Sequence, residues 1–426
     1  MIVGDLGTSL CRAASIVCFA DALKVGPAVT LDTSPLIYDP LDRATQQDPY
    51  PVYRRLREED PVHRTARGFW VLSRFEDVFQ ATLDTATFSS AQGLTFGENE
   101  ILALGLKPTL VMMDRPQHTT FRRLISRRFT PRKVAELEPA LRAFVQTRVA
   151  ILAEAEEADF VETLAGPLPT FVVATYLGVP ESDRAQFDTW SDAIVQANAT
   201  GNTVRDAAGA VAGLYGYFTE LIEWRRQHPG DDMLSDLVAA EVNGQPLHLD
   251  EILGYCFVMI AGGNDTASGL LGGAAVALTE HPDQRSLLLD DLRLLPGAVE
   301  ELLRLTSPVQ GLSRTTTRDV ELHGTPIPAA TKVHLLYGSA NRDPREFGPT
   351  VDDLDVNRRF RRMLTFGNGP HHCIGAAAAR LQARVALEEL FRVMPEFAVD
   401  ASRGRLAPGP FVRRYESLPI ATGRVC

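Results

Sequence analysis

Cysteine, lysine and long apolar runs are all scarce in this chain of 426 residues. The five cysteines, Cys11, Cys18, Cys256, Cys373 and Cys426, are scattered and odd in number. That excludes a disulfide framework and points to a reducing compartment. Only Lys24, Lys107, Lys133 and Lys332 are lysines, so the basic residues are almost all Arg. A basic excess is missing as well: 43 Lys and Arg against 54 Asp and Glu give a net charge of −11, which argues against a nucleic-acid binder. No run approaches the ~18 consecutive apolar residues of a membrane span. The stretch 13–20 is apolar but short, and Asp5 with a lone Arg12 before it makes a poor signal peptide. A soluble, cytoplasmic protein is expected. Repeats and low-complexity linkers are also lacking, so one large domain over 31–426 is expected, preceded by a loosely attached extension over 1–30.

Periodicity predicts a mainly α chain with a minor β part. Residues 62–64 and 68–72 read as strands and 50–57 as a helix. Residues 93–109 have no clear period and read as a loop, yet Leu94, Phe96, Ile101, Leu102 and Leu104 make it unusually apolar. Such a loop is expected to cover a cavity. Helical signals dominate from Pro116 to Leu390, with Asp114 expected to cap a helix that has Pro116 in its first turn. Residues 133–154, 181–197 and 204–226 are amphipathic. Residues 249–280 are apolar nearly throughout, so that helix should run through the core. Short strands are expected at 320–324 and 332–336.

One cysteine has an unusual setting. Cys373 lies in Phe366-Gly367-Asn368-Gly369-Pro370-His371-His372-Cys373-Ile374-Gly375, just before the small-residue run Ala376-Ala377-Ala378-Ala379-Arg380. Gly367, Gly369 and Gly375 permit a close backbone approach. A helix N-terminus favours negative charge, so a sulfur there is expected to be thiolate. No second cysteine is near enough for a zinc pair, and His371 and His372 are too close to Cys373 for a zinc knuckle. A lone cysteine is ordinarily a small buried hydrophobe, but this setting makes Cys373 a candidate single axial ligand to a large flat metal cofactor. The ten-residue pattern resembles the haem-binding loop of the cytochrome P450 family, whose thiolate-ligated haem is a well-known case.

The resemblance extends to other segments between Asp114 and Gly375. Ala261-Gly262-Gly263-Asn264-Asp265-Thr266 lies within the expected central helix. Two glycines cost a helix interior roughly 1 kcal/mol each, and a buried acid adds a desolvation cost. The motif resembles the family's acid–alcohol pair, which implies that the glycines Gly262 and Gly263 give room for dioxygen on haem, that Ala261 and Gly262 lie against the cofactor, and that Asp265 and Thr266 deliver protons. Glu301 and Arg304, three apart on one helix face, match the family's buried Glu-x-x-Arg. They are assigned to folding and haem retention, with residues 340–344 and Arg358 completing the network. His118, Arg122, Arg314 and His371 match the family's haem-propionate partners, and Phe366, Gly367 and Gly375 its cofactor loop. Leu354 stands where the family often has Phe, and Met363 where a histidine is common.

The resemblance implies a cytochrome P450 fold with haem b between the central helix and the Cys373 helix. It implies a monooxygenase that inserts one oxygen atom from O2 into an apolar small molecule, hydroxylating a terpenoid, steroid or fatty-acyl compound. Pocket candidates by family position are Leu94, Phe96, Val258, Ala261, Gln310, Leu312, Phe411 and Val412. No fused flavin or iron–sulfur domain is apparent, so electrons are expected from an external acidic ferredoxin with its NAD(P)H-dependent reductase, acting on a monomer. Arg122, Arg123, Arg127, Arg128, Arg132 and Lys133, with Arg380 and Arg384, are expected to form the positive docking patch. A peroxide-driven peroxygenase and a non-catalytic haem sensor or carrier are the alternatives. Neither needs the Asp265–Thr266 pair.

Overall fold

The structure is a computed structural model and describes residues 34–97, 107–155, 157–200 and 203–421. The extension 1–30 and the loop residues Ile101, Leu102 and Leu104 lie outside the described residues. The longer helices are α1 (Tyr50–Glu59), α2 (Phe75–Leu83), α3 (Gln117–Ser126), α4 (Glu138–Glu154), α5 (Pro167–Leu177), α6 (Arg184–Thr200), α7 (Thr203–Gln227), α8 (Leu249–Glu280), α9 (Leu295–Thr306) and α10 (Ala376–Val393). Residues from Leu36 onward group into one compact unit.

The central helix is α8, with the bounds the apolar run predicts. Its start is fixed by a reciprocal cap: the His248 ring accepts from Asp250 N, while Glu251 accepts from His248 N at 2.8 Å. Its 32 residues rise through about 48 Å. Helices α5, α6, α9 and α10 all pack against it, which is why it lacks a polar face. The core around it includes Phe187, Phe218, Leu278 and Leu302, each of which contributes about 1.5–3 kcal/mol by leaving water.

Two expected helices begin differently. Residues 133–154 are interrupted: a short helix, Pro131–Ala135, ends before α4 starts at Glu138. Pro139 has no N–H to donate to Ala135, so a helix cannot run through it. Residues 181–197 open as the single turn Glu181–Asp183 and only then become α6. Asp114 does not cap α3. Its carboxylate instead accepts from Ser90 N at 3.0 Å and from Ser89 Oγ.

The main sheet contains β1 (Val62–Arg64), β2 (Trp70–Leu72), β3 (Phe88–Ser89), β4 (Leu312–Thr316) and β5 (Lys332–Leu335), in the order β1-β2-β5-β4-β3. Strand β5 runs parallel to β2 and antiparallel to β4, with Val333 opposite both Trp70 and Arg314. Leu72, Phe75, Val333 and Leu335 form a second, smaller core beneath it. Residues 320–324 supply only Val320–Leu322, paired in a separate hairpin with Thr325–Ile327. Strand β4 has no counterpart among the predicted elements, and it is the strand that carries Arg314 and Leu312.

Candidate active site

The Cys373 loop is closed by backbone bonds before any side chain acts. Cys373 N donates to Phe366 O at 2.8 Å, and Gly367 N donates to Leu364 O at 2.8 Å. The turn needs positive φ at Gly367 (64°) and Gly369 (67°), where other residues are strained. At Gly369 a Cβ would also stand 2.8 Å from Thr82 O. Helix α10 begins at Ala376, after Gly375 as its cap, so Cys373 precedes the helix rather than opening it. The Cys373 side chain is exposed at the mouth of this loop; desolvation by the surrounding chain raises its thiol, while the Gly375 backbone bond and the nearby Arg122 and Arg380 pull it down. A coordinated metal would have to displace the proton. Phe366 packs flat beneath Arg380, 4.6 Å from ring centre to guanidinium carbon.

Above this loop the fold gathers basic side chains from three elements. Helix α3 supplies His118 and Arg122, β4 supplies Arg314, and the loop supplies His371. The His118 and His371 rings lie 4.1 Å apart, and Arg122 Nη2 donates to His372 O at 2.6 Å. Arg314 is buried and donates to Ser313 O at 2.7 Å. His371 is pushed down to about 3, first by burial and then by Arg314, His118 and Arg122. Among the described residues, neither Arg122 nor Arg314 pairs with a carboxylate. Two arginines that lie partly or fully buried without a carboxylate call for an anion to offset their desolvation, and the neutral His118 and His371 rings beside them can donate to it. A cofactor carrying two carboxylates beside a soft metal fits this donor set.

The central helix is open on one face and tightly packed on the next. A Cβ at Gly262 would meet nothing within 4 Å, whereas one at Gly263 would strike Val173 at 2.8 Å. Thr266, one turn past Gly262, donates from Oγ1 to Gly262 O at 2.9 Å. Ala261 is partly buried beside them. Asp265 turns the other way into the protein. Burial pushes its carboxyl up to about 6, although Arg414 Nε stands 2.6 Å from Oδ1 and pulls it down. Arg414 is absent from the sequence-based site. It lies far along the chain, and its only signal is a second arginine following the apolar pair Phe411-Val412.

Glu301 and Arg304 are both fully buried and joined in a two-pronged pair at 2.7 Å. Arg304 Nη1 donates to Asn341 O and Val351 O, and Arg358 Nε reaches Glu301 Oε1 at 3.0 Å. Asn341 carries the network onward, accepting from Leu364 N and donating to Thr365 Oγ1, at the foot of the Cys373 loop. Leu354 is buried against the helical core.

Most pocket candidates converge. Phe96 and Phe411 stack at 4.7 Å, Leu94 O accepts from Ser313 N beside Leu312, and Val412 bridges to Val309. Val258 and Ala261 are partly buried on α8. Gln310 N joins the group by donating to Phe411 O at 2.8 Å. Its side chain accepts from Tyr53 OH at 3.2 Å and donates to Ser307 O at 2.7 Å, so it is committed to packing under α1.

The basic patch is largely matched by acids. Arg127 and Arg128 both pair with Asp236, and Arg128 also with Asp231. Lys133 pairs with Glu136, Arg380 with Glu300, and Arg384 with Glu138 and Glu388. Charge clustering in sequence did not register these partners. Arg359 and Arg361 line a groove of about 390 Å³ along the Cys373 loop, with Phe366, His372 and Arg380. Among the described residues these two pair with no carboxylate.

Comparison with known proteins agrees with this geometry. A family model described as Cytochrome P450 matches residues 284–404. Cytochrome P450 130 of Mycobacterium tuberculosis is 53% identical over 386 residues, covering 88% of this chain and 95% of that protein. The vitamin D(3) 25-hydroxylase of Pseudonocardia autotrophica is 36% identical over 386 residues, covering 88% and 94%. Among solved structures, Mycobacterium marinum CYP268A2 in complex with pseudoionone is 31% identical, with a TM-score of 0.82 over 91% of this chain and all of that one. No described helix is long and apolar enough to cross a membrane. Loop, cation cluster and ion network thus stand in a bacterial monooxygenase framework, and the chain belongs to the cytochrome P450 family, whose members carry haem.

Proposed function

We propose that this chain holds haem b through Cys373 and oxygenates an apolar small molecule of terpenoid, steroid or fatty-acyl type in the cytoplasm, as a monomer supplied with electrons by an acidic ferredoxin and its NAD(P)H-dependent reductase. The observation that carries the reading is the open face of α8 at Gly262 and Thr266, backed by buried Asp265. Arg122, Arg314, His118 and His371 would hold the propionates, and Phe366, Gly367 and Gly375 would shape the loop around the ligand sulfur. Haem, when bound, supplies the oxygen chemistry.

The chain's own residues handle substrate and protons. Phe96, Phe411, Leu94, Leu312 and Val258 present apolar surface, which excludes water and favours a hydrophobic guest. Similar proteins include one named a vitamin D(3) 25-hydroxylase and one solved in complex with pseudoionone, and both compounds are of that type. Thr266 already spends its proton on Gly262 O, so its oxygen keeps lone pairs to accept a hydrogen bond. The Asp265 carboxyl, pushed up to about 6, takes up and releases a proton close to neutral pH. The groove with Arg359 and Arg361 offers an acidic donor its positive surface.

The test is Thr266→Ala. Haem content and substrate binding should stay unchanged, while product formed per NAD(P)H falls and peroxide rises. An unchanged product yield rejects the role of Thr266.

A further inference from the structure

Asp265 is not left to itself. Asp265 and Arg414 are each 5% exposed, and Arg414 Nε stands 2.6 Å from Asp265 Oδ1. Asp265 Oδ1 and Arg414 Nη2 both remain without a hydrogen-bond partner in the protein. A buried guanidinium with an unused donor, aimed at a buried acid, is costly unless it has a task.

The approach of Arg414 is built into the fold. Gly269 lies one turn beyond Asp265 on the same face of α8. A Cβ there would stand 2.7 Å from Arg413 O, 3.2 Å from Pro308 Cβ and 3.4 Å from Arg414 Cβ. Glycine therefore lets the C-terminal segment lie directly on the helix. Arg413 N donates to Pro308 O at 2.8 Å and Ala407 N to Arg414 O at 3.0 Å, which fixes the backbone on both sides of the contact. The same segment carries Phe411 and Val412 of the apolar pocket.

The charge balance around Arg414 is uneven. It faces Asp265 on α8 and also pulls down the carboxyl of Asp192 on α6, an exposed acid that local desolvation raises. Asp188, one turn earlier on α6, is pushed up by burial and by Asp192, with Arg148 and Arg184 opposing. One guanidinium thus serves more than one acid, and Asp265 has no other cation acting on it.

We propose that Arg414 is the positioning residue of the Asp265 proton relay: it holds the carboxyl toward the C-terminal segment and keeps it able to ionise, and Gly269 is what lets it reach. This rests on the reading of Asp265 as the relay acid. Without Arg414, Asp265 would keep its proton and fail to pass it on.

The experiment follows the Asp265 carboxyl by difference infrared spectroscopy across pH in the haem-loaded protein, the band being assigned by its loss in Asp265→Asn. Peroxide formed per NAD(P)H is measured in parallel. Arg414→Met should raise the midpoint of Asp265 ionisation by at least a unit, roughly a tenfold change in proton affinity, and raise peroxide. Arg414→Lys should shift it less. Gly269→Ala keeps both charges but displaces the Arg413 backbone, so it should shift the midpoint the same way, and it decides the matter if Arg414→Met does not fold. Unchanged midpoints in Arg414→Met or, failing that, in Gly269→Ala, with haem bound normally, overturn the proposal. If Asp265→Asn itself leaves product yield intact, the relay reading falls first, and the role of Arg414 with it.

Discussion

Glu301→Gln is the most revealing single change away from the chemistry. The substitution keeps shape and removes one buried charge. Arg304, wholly buried, and Arg358, nearly so, would then face a neutral amide where a carboxylate had satisfied both. Breaking a buried ion pair from one side costs about 3–5 kcal/mol, because the remaining charge stays out of water. Folded domains are stable by only about 5–15 kcal/mol, so the loss is a large share of the total. The damage should also travel. Arg304 fixes Asn341 O, and Asn341 fixes Leu364 and Thr365 just before the Cys373 loop. Urea unfolding followed by circular dichroism gives the stability change, and haem retained after gel filtration gives the local one. The exposed pair Lys133–Glu136 is the control, whose removal should barely move the midpoint. A loss below ~1 kcal/mol with full haem retention would refute the reasoning, since a surface pair could do as much.

Two further outcomes follow from the geometry. Gly369→Ala should destabilise the protein more than Gly367→Ala, although both have positive φ, because only at Gly369 does a Cβ strike backbone, Thr82 O at 2.8 Å, whereas at Gly367 the nearest atom is 3.9 Å away. Each should cost at least ~1 kcal/mol in strain, and the reverse order in unfolding midpoints contradicts the loop geometry. Reversing Arg359 and Arg361 to Glu should slow reduction by an acidic ferredoxin, most at low salt, whereas reversing Arg127 and Arg128 should chiefly destabilise the contact with Asp231 and Asp236. Stopped-flow reduction that is equally fast and salt-insensitive in the first variant excludes the groove.

Local signals carried well from sequence to structure. The 249–280 helix is apolar nearly throughout and capped at His248, so its bounds needed no tertiary information. The Cys373 loop is likewise specified by glycines placed where the turn requires positive φ. What failed was set by competition or by distance. Asp114 had the right chemistry for a cap, but Ser89 and Ser90 claimed its carboxylate. The arginine run at 122–133 looked like a positive patch because Asp231 and Asp236, far along the chain, were not visible as its partners. Arg414 was missed for the same reason: only the folded chain brings it to Asp265.

The central claim is that Cys373 alone supplies the protein ligand to the haem iron. The ferrous–CO spectrum of the haem-loaded protein tests it most directly. The wild-type protein should show the thiolate-type band, and Cys373→His should lose that band while still folding around haem. A Cys373→His protein that keeps the thiolate-type spectrum would contradict the account.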